Sequence, residues 1–487
     1  MTDLKYYFDG TNGYPVAGTV TANLLLSCRE KFNTVASLPF EYSDSFFDGS
    51  GCSYRHDLCL MSLGLSMPAF SHKADGDIHI RGILRSIGCD DRTIHTRKFD
   101  ATSPTDDSCG YAFAAKRIKN DYHLIPVVIR SHRYGGEWVS NVHVVDESCP
   151  DHSVGFKNAA DKAYDALSAY IEAHGFNRKK IKLWVVGFSR GAAIANLLGA
   201  RLNLESDVPK DNIFCYTFAT PCTVYDRANC YMDNIFNIVS EIDAVPRVPI
   251  CSWGFTRYGT DLYLPCSARR GAEEYARLRG KMSVQFDALM KQLDVTDAKY
   301  TTIDDQEIAV DLLMDCLDDL LISPEKYIGG GYQSIIMEYM KSKIGGFDFE
   351  LRTFLRFLLD GNAELADELC SLIEKWNELA AFEKVQRITK LPTRRRQGER
   401  TPAGEIISMA LNIFMRYARK LTATKVTGGE QDYYYEQLVS MIVDTYQNAN
   451  NSAILMQHWP ETYLAWLKSA DEKELFRTTS YPRHSVK

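Results

Sequence analysis

The chain has 487 residues, of which 45% are hydrophobic and 24% charged, so it is long enough for more than one compact unit of ordinary globular composition. A formal net charge of −7 argues against nucleic acid as the principal partner, because phosphate binding needs a concentrated basic surface. The sequence has neither the pattern of an export signal nor an apolar run near the ~18 residues of a membrane span, and its 13 cysteines form no repeated CxxC motif. We therefore expect a cytoplasmic protein whose thiols are free, as is usual in a reducing compartment.

Four short runs before about Pro265 predict buried parallel strands. They are rich in β-branched and aromatic residues and nearly free of charge, as strands covered on both faces of a sheet are. The runs are 125–129, 181–186, 213–219 and 235–240. An amphipathic segment that ends at Gly175 lies between the first two runs and predicts a helix. This alternation is typical of a βαβ sheet protein.

A change of texture near residue 266 predicts a second unit. From there to residue 451 the apolar residues follow helical spacing, beginning with 272–293, so we expect a domain-sized helical insert. Within it, 389–400 is a basic, proline-containing stretch that we interpret as a solvated connection, with contact to an anionic lipid as the alternative. The predicted organisation is a core at 1–265, a helical insert at 266–451 and a return to the core at 452–487.

The segment GFSRGAAIA (187–195) lies between the strand predicted at 181–186 and a helical pattern of small residues. Gly187, Ser189 and Gly191 form the GxSxG pattern of a nucleophile elbow, in which the serine occupies a sharp strand-to-helix turn and the glycines prevent collisions with neighbouring backbone. A serine hydroxyl attacks a carbonyl only when a base takes its proton and donors hold the oxyanion. The flanking elements favour a nucleophile over a plain turn serine at this position.

The order of residues along the chain restricts the base. In the elbow fold the serine is followed by an acid and then by a histidine. Only His458 and His484 follow Ser189, and His484 lies in the C-terminal tail, where chains usually fray. His458 lies among apolar and aromatic residues that can hold it against a core. We therefore favour His458 as the base, with a histidine that is merely packed at a helix start as the alternative.

The acid is expected at the end of a strand after the serine strand. Asp243 follows the run at 235–240 and precedes two prolines that end the strand and stiffen the loop. Such a carboxylate would accept the Nδ1 proton of His458 and stabilise the imidazolium. Glu241 and Asp226 are its rivals, and a plain turn aspartate is the structural alternative.

Several segments, taken in order, resemble the class 3 lipases, which are fungal-lipase-like α/β-hydrolases. The match covers about 54–265 and 452–467. The segments that carry the resemblance are VVIRSH (127–132), EWVSN (137–141), HSVGF (152–156), GFSRGAAIA (187–195), YTFATP (216–221), IDAVPRVP (242–249) and HWPETY (458–463).

The resemblance implies an α/β-hydrolase fold with a mostly parallel central sheet. The large helical insert goes well beyond the compact secreted lipases of the family, and we expect it to act as a cap or lid or to build the acyl pocket. The resemblance also implies Ser189 as the nucleophile, Asp243 as the acid and His458 as the base. The oxyanion hole would use the backbone N–H of Arg190 and that of Ser131 or His132. Ser131 occupies the position at which the family has glycine, so this turn departs from the family pattern.

The activity expected from the resemblance is hydrolysis of carboxylic, lipid-like esters by a serine hydrolase through an acyl-enzyme. No metal or organic cofactor is implied, and peripheral contact with a membrane is an additional option. An amidase, a thioesterase or an acyltransferase would use the same triad, and a hydrolase fold without catalysis would serve as a binding protein. Cys222 and Cys230 lie near the site loops in the sequence, and we interpret them as packing residues.

Overall fold

The computed structural model describes residues 17–25, 35–70, 76–97, 109–131, 152–225, 232–248, 255–295, 299–300, 367 and 456–479. Four residues considered from the sequence lie outside this part of the chain, namely His132, Asp226, Cys230 and His484. The basic stretch at 389–400 and most of the predicted helical insert also lie outside it.

A mixed sheet forms the centre of the fold. The strands are, in chain order, β1 (Ala17–Leu25), β2 (Val35–Ser43), β3 (His95–Arg97), β4 (Tyr111–Phe113), β5 (Lys116–Ile118), β6 (Tyr122–Ile129), β7 (Ile181–Phe188), β8 (Ile213–Phe218), β9 (Val224–Tyr225), β10 (Ile235–Val239), β11 (Phe255–Thr256), β12 (Thr260–Tyr263) and β13 (Phe476–Thr479). Within the described chain the main sheet has nine strands in the order β13-β12-β10-β8-β7-β6-β4-β3, and β5 also pairs with β6.

The central strands β6, β7, β8, β10 and β12 are parallel to one another. Val185 of β7 lies opposite Val127 of β6 and Cys215 of β8, and every residue of β7 is buried. Burial on both faces explains why these strands have almost no charge and why the sequence predicted them. The outer strands β3, β4, β5 and β13 are antiparallel additions that the sequence did not predict.

Helices cover both faces of this sheet. The helices are α1 (His56–Ser66), α2 (Gly76–Ser86), α3 (Val154–Ala173), α4 (Arg190–Glu205), α5 (Ser267–Arg270), α6 (Ala272–Gln292) and α7 (Pro460–Ser469). Leu183 and Val185 pack in a core with residues of α3 and α4. Trp184, Val186 and Phe188 point to the other face, where they share a core with β1, β2, α1, α2, α6 and α7. Alternation along a strand thus supplies both cores.

The C-terminal return packs on the first helix of the predicted insert. The rings of Tyr275 in α6 and Trp466 in α7 are stacked with centroids 6.2 Å apart. Just beyond α6, the hydroxyl of Tyr300 donates to Oε1 of Gln457 at 3.0 Å. The helix predicted at 272–293 is therefore present, and it belongs to the same hydrophobic core as the sheet.

A buried ion pair fastens the antiparallel hairpin β1–β2 to the main sheet. The ammonium of Lys116 in β5 lies 2.7 Å from Oδ1 of Asp44 and donates to the carbonyl of Ile87 at 2.8 Å. The hydroxyl of Tyr42 donates to the same carboxylate oxygen at 2.6 Å. We call Tyr42, Asp44 and Lys116 the hairpin cluster. Its charges are paired and hydrogen-bonded, which is the condition for burying them.

The layered parallel sheet, with a serine at the turn between β7 and α4, confirms the predicted α/β-hydrolase fold for the part of the chain that is described. The large insert remains a prediction, since α5 and α6 at its start are its helices among the described residues. Every described helix is too short or too polar to cross a bilayer.

Candidate active site

Ser189 stands at a strained turn between β7 and α4. Its backbone has φ 54° and ψ −126°, a combination that residues other than glycine rarely adopt. The turn is held by its hydrogen bonds, because the N–H of Ser189 donates to the carbonyl of Phe218 at 2.9 Å and its carbonyl accepts from Ala192 at 2.9 Å. The turn brings the side chain to the carboxyl edge of the sheet, and Ser189 is 4% exposed.

The two glycines of the motif are required by close approach of backbone segments. A Cβ atom on Gly187 would lie 2.3 Å from the carbonyl oxygen of Gly191. A Cβ atom on Gly191 would lie 2.6 Å from the carbonyl oxygen of Arg130, at the end of β6. Any side chain at either position would therefore displace the helix from the strand ends. The GxSxG spacing thus presses the N-terminus of α4 against the chain that leaves β6.

His458 joins Ser189 to Asp243. Its Nε2 lies 2.9 Å from Oγ of Ser189, and its Nδ1 lies 2.8 Å from Oδ2 of Asp243. The side chain of His458 is 20% exposed, whereas that of Asp243 is only 1% exposed. The ring of Phe188 lies beside the imidazole, with centroids 5.4 Å apart. The three side chains selected from the sequence are therefore in hydrogen-bond contact, with the geometry that base-assisted attack by serine requires.

The family model described as Lipase (class 3) matches residues 127–253, which include the end of β6, the elbow and Asp243. The match supports a class 3 lipase-like family for this part of the chain and, with it, a serine carboxylester hydrolase. No curated protein matches the chain in sequence.

Among solved structures, the chain is similar to several lipases. A triacylglycerol lipase described as having a serine protease triad at its catalytic centre has 19% identity, with 44% of this chain and 81% of that chain covered and a TM-score of 0.32. The triacylglyceride lipase of Rhizomucor miehei has 20% identity, with 36% of this chain and 69% of that chain covered and a TM-score of 0.29. A fungal lipase–inhibitor complex has 18% identity, covers 43% and 80%, and has a TM-score of 0.32. The family assignment rests on residues 127–253 and not on these structures.

The loop that carries Asp243 directs both carboxylate oxygens. Oδ1 accepts from the N–H of Val245 at 3.0 Å, and Oδ2 accepts from the hydroxyl of Tyr463 at 2.8 Å in addition to its contact with His458. Burial, followed by the charge of Asp243, raises the pKa of Tyr463 well above its ordinary value. The phenol therefore stays protonated and donates, which fixes the carboxylate. The sequence pointed to this tyrosine within the histidine segment but not to its bond with Asp243.

Glu241, the nearest rival of Asp243, is engaged elsewhere. Its carboxylate forms an ion pair with Arg269 and accepts from the thiol of Cys266 at 2.8 Å. It lies two residues before Asp243 in the same loop, yet the bond to His458 Nδ1 is made by Asp243. The other rival, Asp226, is outside the described residues.

The predicted oxyanion donors lie at one junction. Arg190 is the first residue of α4, and Ser131 directly follows Arg130, whose carbonyl touches Gly191. Both residues are buried, with exposures of 2%. Among the described residues, Oγ of Ser131 is a buried hydroxyl with no hydrogen-bond partner. An unpaired buried hydroxyl beside a helix N-terminus suits a transient negative charge. His132 is not described.

A buried polar network below Asp243 was missed by the sequence reasoning. Arg257 and Asp261 form an ion pair whose side chains are 6% and 5% exposed. Burial lowers the pKa of the Arg257 guanidinium, but the charges of Asp261, Cys222 and Tyr263 and the hydrogen bond to Asp261 together outweigh this and raise that pKa well above its usual value. The available signal was a pair of opposite charges inside the apolar segment 255–265, which otherwise resembles a buried strand. In the described chain, no group of three or more His, Cys, Asp or Glu side chains is placed to hold a metal ion.

Proposed function

We propose that the protein hydrolyses carboxylic esters of lipid-like substrates through an acyl-enzyme on Ser189. The observation that carries the proposal is the continuous chain of hydrogen bonds from Ser189 Oγ through His458 to Asp243, at 2.9 and 2.8 Å. The match of residues 127–253 to the class 3 lipase model supports an ester as the substrate.

In the first half-reaction, Ser189 Oγ bonds to the acyl carbonyl carbon while His458 Nε2 takes its proton. The imidazolium then gives this proton to the departing alcohol oxygen, and the acyl group remains on Ser189. Asp243 accepts from Nδ1 throughout and stabilises the imidazolium. In the second half-reaction His458 takes a proton from water, the hydroxide oxygen bonds to the acyl carbon, and the proton returns to Ser189 as the acid leaves.

The oxyanion of both tetrahedral intermediates is assigned to donors at the junction of β6 and α4. The N–H groups of Arg190 and Ser131 are the backbone candidates, and His132 is the alternative to Ser131. The unpaired Oγ of Ser131 supports a further donor from the side chain, which compensates for the lack of the family's glycine at this position. Loss of one such donor typically reduces kcat by roughly 10²–10³.

Labelling with a fluorophosphonate, mapped by mass spectrometry, tests the proposal. We expect a label on Ser189 of the folded wild-type protein, none in Ser189→Ala, and normal labelling in Ser153→Ala. Ser153 is a suitable control because it is another buried serine, and its hydroxyl, unlike that of Ser189, has no partner within the described chain. A folded wild-type protein that takes no label, or a label that persists in Ser189→Ala, would overturn the proposal.

A panel of esters of increasing acyl-chain length tests the substrate class. We expect turnover to extend to long-chain esters presented as an emulsion, with free acid and alcohol as products. Activity confined to short soluble esters contradicts the lipid assignment. A product in which the acyl group is transferred to an added alcohol or amine instead of water identifies an acyltransferase.

A further inference from the structure

We propose that Arg257 is a positioning residue that fixes the loop carrying Asp243 relative to the strand end that holds Ser189. The inference rests on the proposed triad, and it assigns a role to a buried ion pair that touches none of the reacting atoms.

The guanidinium of Arg257 is itself held in one orientation. Its Nε donates to Oδ1 and Oδ2 of Asp261 at 3.0 and 3.1 Å. Asp261 lies in β12, and its Oδ1 also accepts from the side-chain amide of Asn237 in β10 at 3.0 Å. The planar fork is therefore anchored to two adjacent parallel strands. Because the pair is neutral in sum, it supplies N–H donors without adding net charge near Asp243.

The Nη1 of the fork reaches two backbone segments that meet beneath the site. It donates to the carbonyl of Pro246 at 2.7 Å and to the carbonyl of Thr220 at 2.7 Å. Pro246 belongs to the turn Val245–Arg247, whose first N–H is bonded to Oδ1 of Asp243. The guanidinium of Arg257 therefore fixes the position of the loop that carries Asp243 relative to the sheet.

The second carbonyl connects the fork to the nucleophile. Thr220 lies two residues after Phe218, the last residue of β8, whose carbonyl accepts the N–H of Ser189 at 2.9 Å. The intervening Ala219 has φ 50°, so the chain turns sharply here and its course depends on external bonds. The N–H of Cys222 donates to the carbonyl of Val248 at 2.9 Å, which is a further bond between the same two backbone segments.

Lysine cannot replace this arrangement. An ammonium is a point charge on a flexible stem, whereas the guanidinium presents donors at fixed angles to a carboxylate and two carbonyls at once. The distance from His458 to Asp243 depends on the acid loop, and a shift of about 1 Å away from productive geometry typically lowers turnover by roughly 10²-fold. Arg257 thus controls the triad through Pro246 and Thr220.

The test compares Arg257→Lys with Lys116→Met, a change in the buried ion pair of the hairpin cluster, which lies outside the site. Active sites are counted with fluorophosphonate, and kcat, KM and the pH profile of kcat/KM are then measured per active site. For Arg257→Lys we expect kcat to fall about 10- to 100-fold with KM within about twofold. The acid limb of the pH profile should also differ from that of the wild type, because a displaced carboxylate holds the imidazole of His458 less firmly.

Lys116→Met should lower the melting temperature while keeping the wild-type kcat and acid limb, since it loosens only the hairpin. Asp261→Asn provides a second variant, which keeps the side-chain shape but holds the fork more weakly, and we expect a smaller change in the same direction. If Arg257→Lys does not fold, the kcat and pH profile of Asp261→Asn test the positioning role instead.

If Arg257→Lys and Asp261→Asn keep the kcat of the wild type and the acid limb of its pH profile, the positioning role is overturned, whatever happens to their melting temperatures. Normal labelling of wild-type Ser189 in the same experiment leaves the triad standing when only the positioning role fails. A wild-type protein without label removes the triad and this inference together.

Discussion

Two buried ion pairs of this protein are chemically alike but hold different parts of it. In the hairpin cluster, Lys116 binds Asp44 and uses a remaining donor on the carbonyl of Ile87, which joins a hairpin to the sheet. Beneath the site, Arg257 binds Asp261, and its Nη1 donates to the carbonyls of Pro246 and Thr220.

The difference lies in which carbonyl each cation fixes. A buried ion pair contributes little net stability compared with apolar residues of the same volume, although breaking it by removing one partner is costly. The useful product of such a pair is the fixed position of the backbone that it binds. At Ile87 that backbone belongs to the scaffold, whereas at Pro246 it carries the proposed acid. We therefore expect activity and stability to respond separately in the two regions.

The largest effect is expected from Asp243→Asn compared with Glu241→Gln. Both changes replace a carboxylate by an amide of the same shape in one loop. Asparagine stabilises neither the imidazolium nor the tautomer that accepts the serine proton, so kcat should fall roughly 10⁴-fold. Glu241 contacts Arg269 and Cys266 instead, so its variant should keep kcat within about threefold. Steady-state kinetics per titrated site measures both, and comparable losses in the two variants would contradict the assignment of the acid.

Lys116→Met is expected to have the next largest effect, on stability. It leaves Asp44 buried without its cation, and breaking a buried pair in this way costs about 3–5 kcal/mol. Urea unfolding followed by fluorescence measures the free energy of unfolding. Kinetics on the folded fraction should match the wild type. A loss of turnover without a loss of stability would remove the contrast between the two regions.

Tyr463→Phe should lower kcat moderately. Its hydroxyl donates to Asp243 Oδ2 at 2.8 Å, and its ring packs against Phe188 with centroids 5.5 Å apart. Phenylalanine keeps the packing and removes one bond to a carboxylate, so we expect about a tenfold decrease, equivalent to about 1.4 kcal/mol. Single-turnover acylation with a chromogenic ester measures the step directly. An unchanged acylation rate would show that Val245 and His458 suffice to hold the carboxylate.

The smallest effect concerns two free thiols. Burial raises the pKa of Cys59 and of Cys89 to about 12. Both should therefore resist iodoacetamide at pH 8 in the native protein and react after unfolding, because the thiolate is the reactive form. Lys116 donates to the carbonyl of Ile87, two residues before Cys89, so Lys116→Met should loosen the chain there and open Cys89 to alkylation before Cys59. Peptide mapping over time distinguishes the two sites, and rapid native alkylation of either thiol would contradict its burial.

The sequence predicted the parallel centre of the fold because two-sided burial leaves a strong signature. The runs at 181–186 and 213–219 have almost no charge, and the structure has β7 and β8 at these places. Antiparallel edges such as β3 and β13 were not predicted, because strands of three or four residues carry too little alternation to be recognised. The insert stays a prediction apart from its start at α5 and α6.

The candidate site was accessible from the sequence where chain order restricted the choice. Ser189, Asp243 and His458 were selected by motif, strand end and elimination, and they lie in mutual contact, while their catalytic roles stay predictions. The choice of Asp243 over Glu241 agrees with the contacts. Arg257 and Asp261 escaped notice because charges near short strands usually indicate exposure, and only tertiary structure shows their burial.

The contact of Tyr300 with Gln457 has a consequence for how this chain accommodates length. The bond joins the described chain on either side of 301–455, close to where α6 packs against α7. The entropy lost on closing a loop grows only with the logarithm of its length, and a twofold longer loop costs only about 0.6 kcal/mol more. Because His458 follows this contact directly and is held by Asp243 and Phe188, we expect added length between acid and base to cost little in the position of the base.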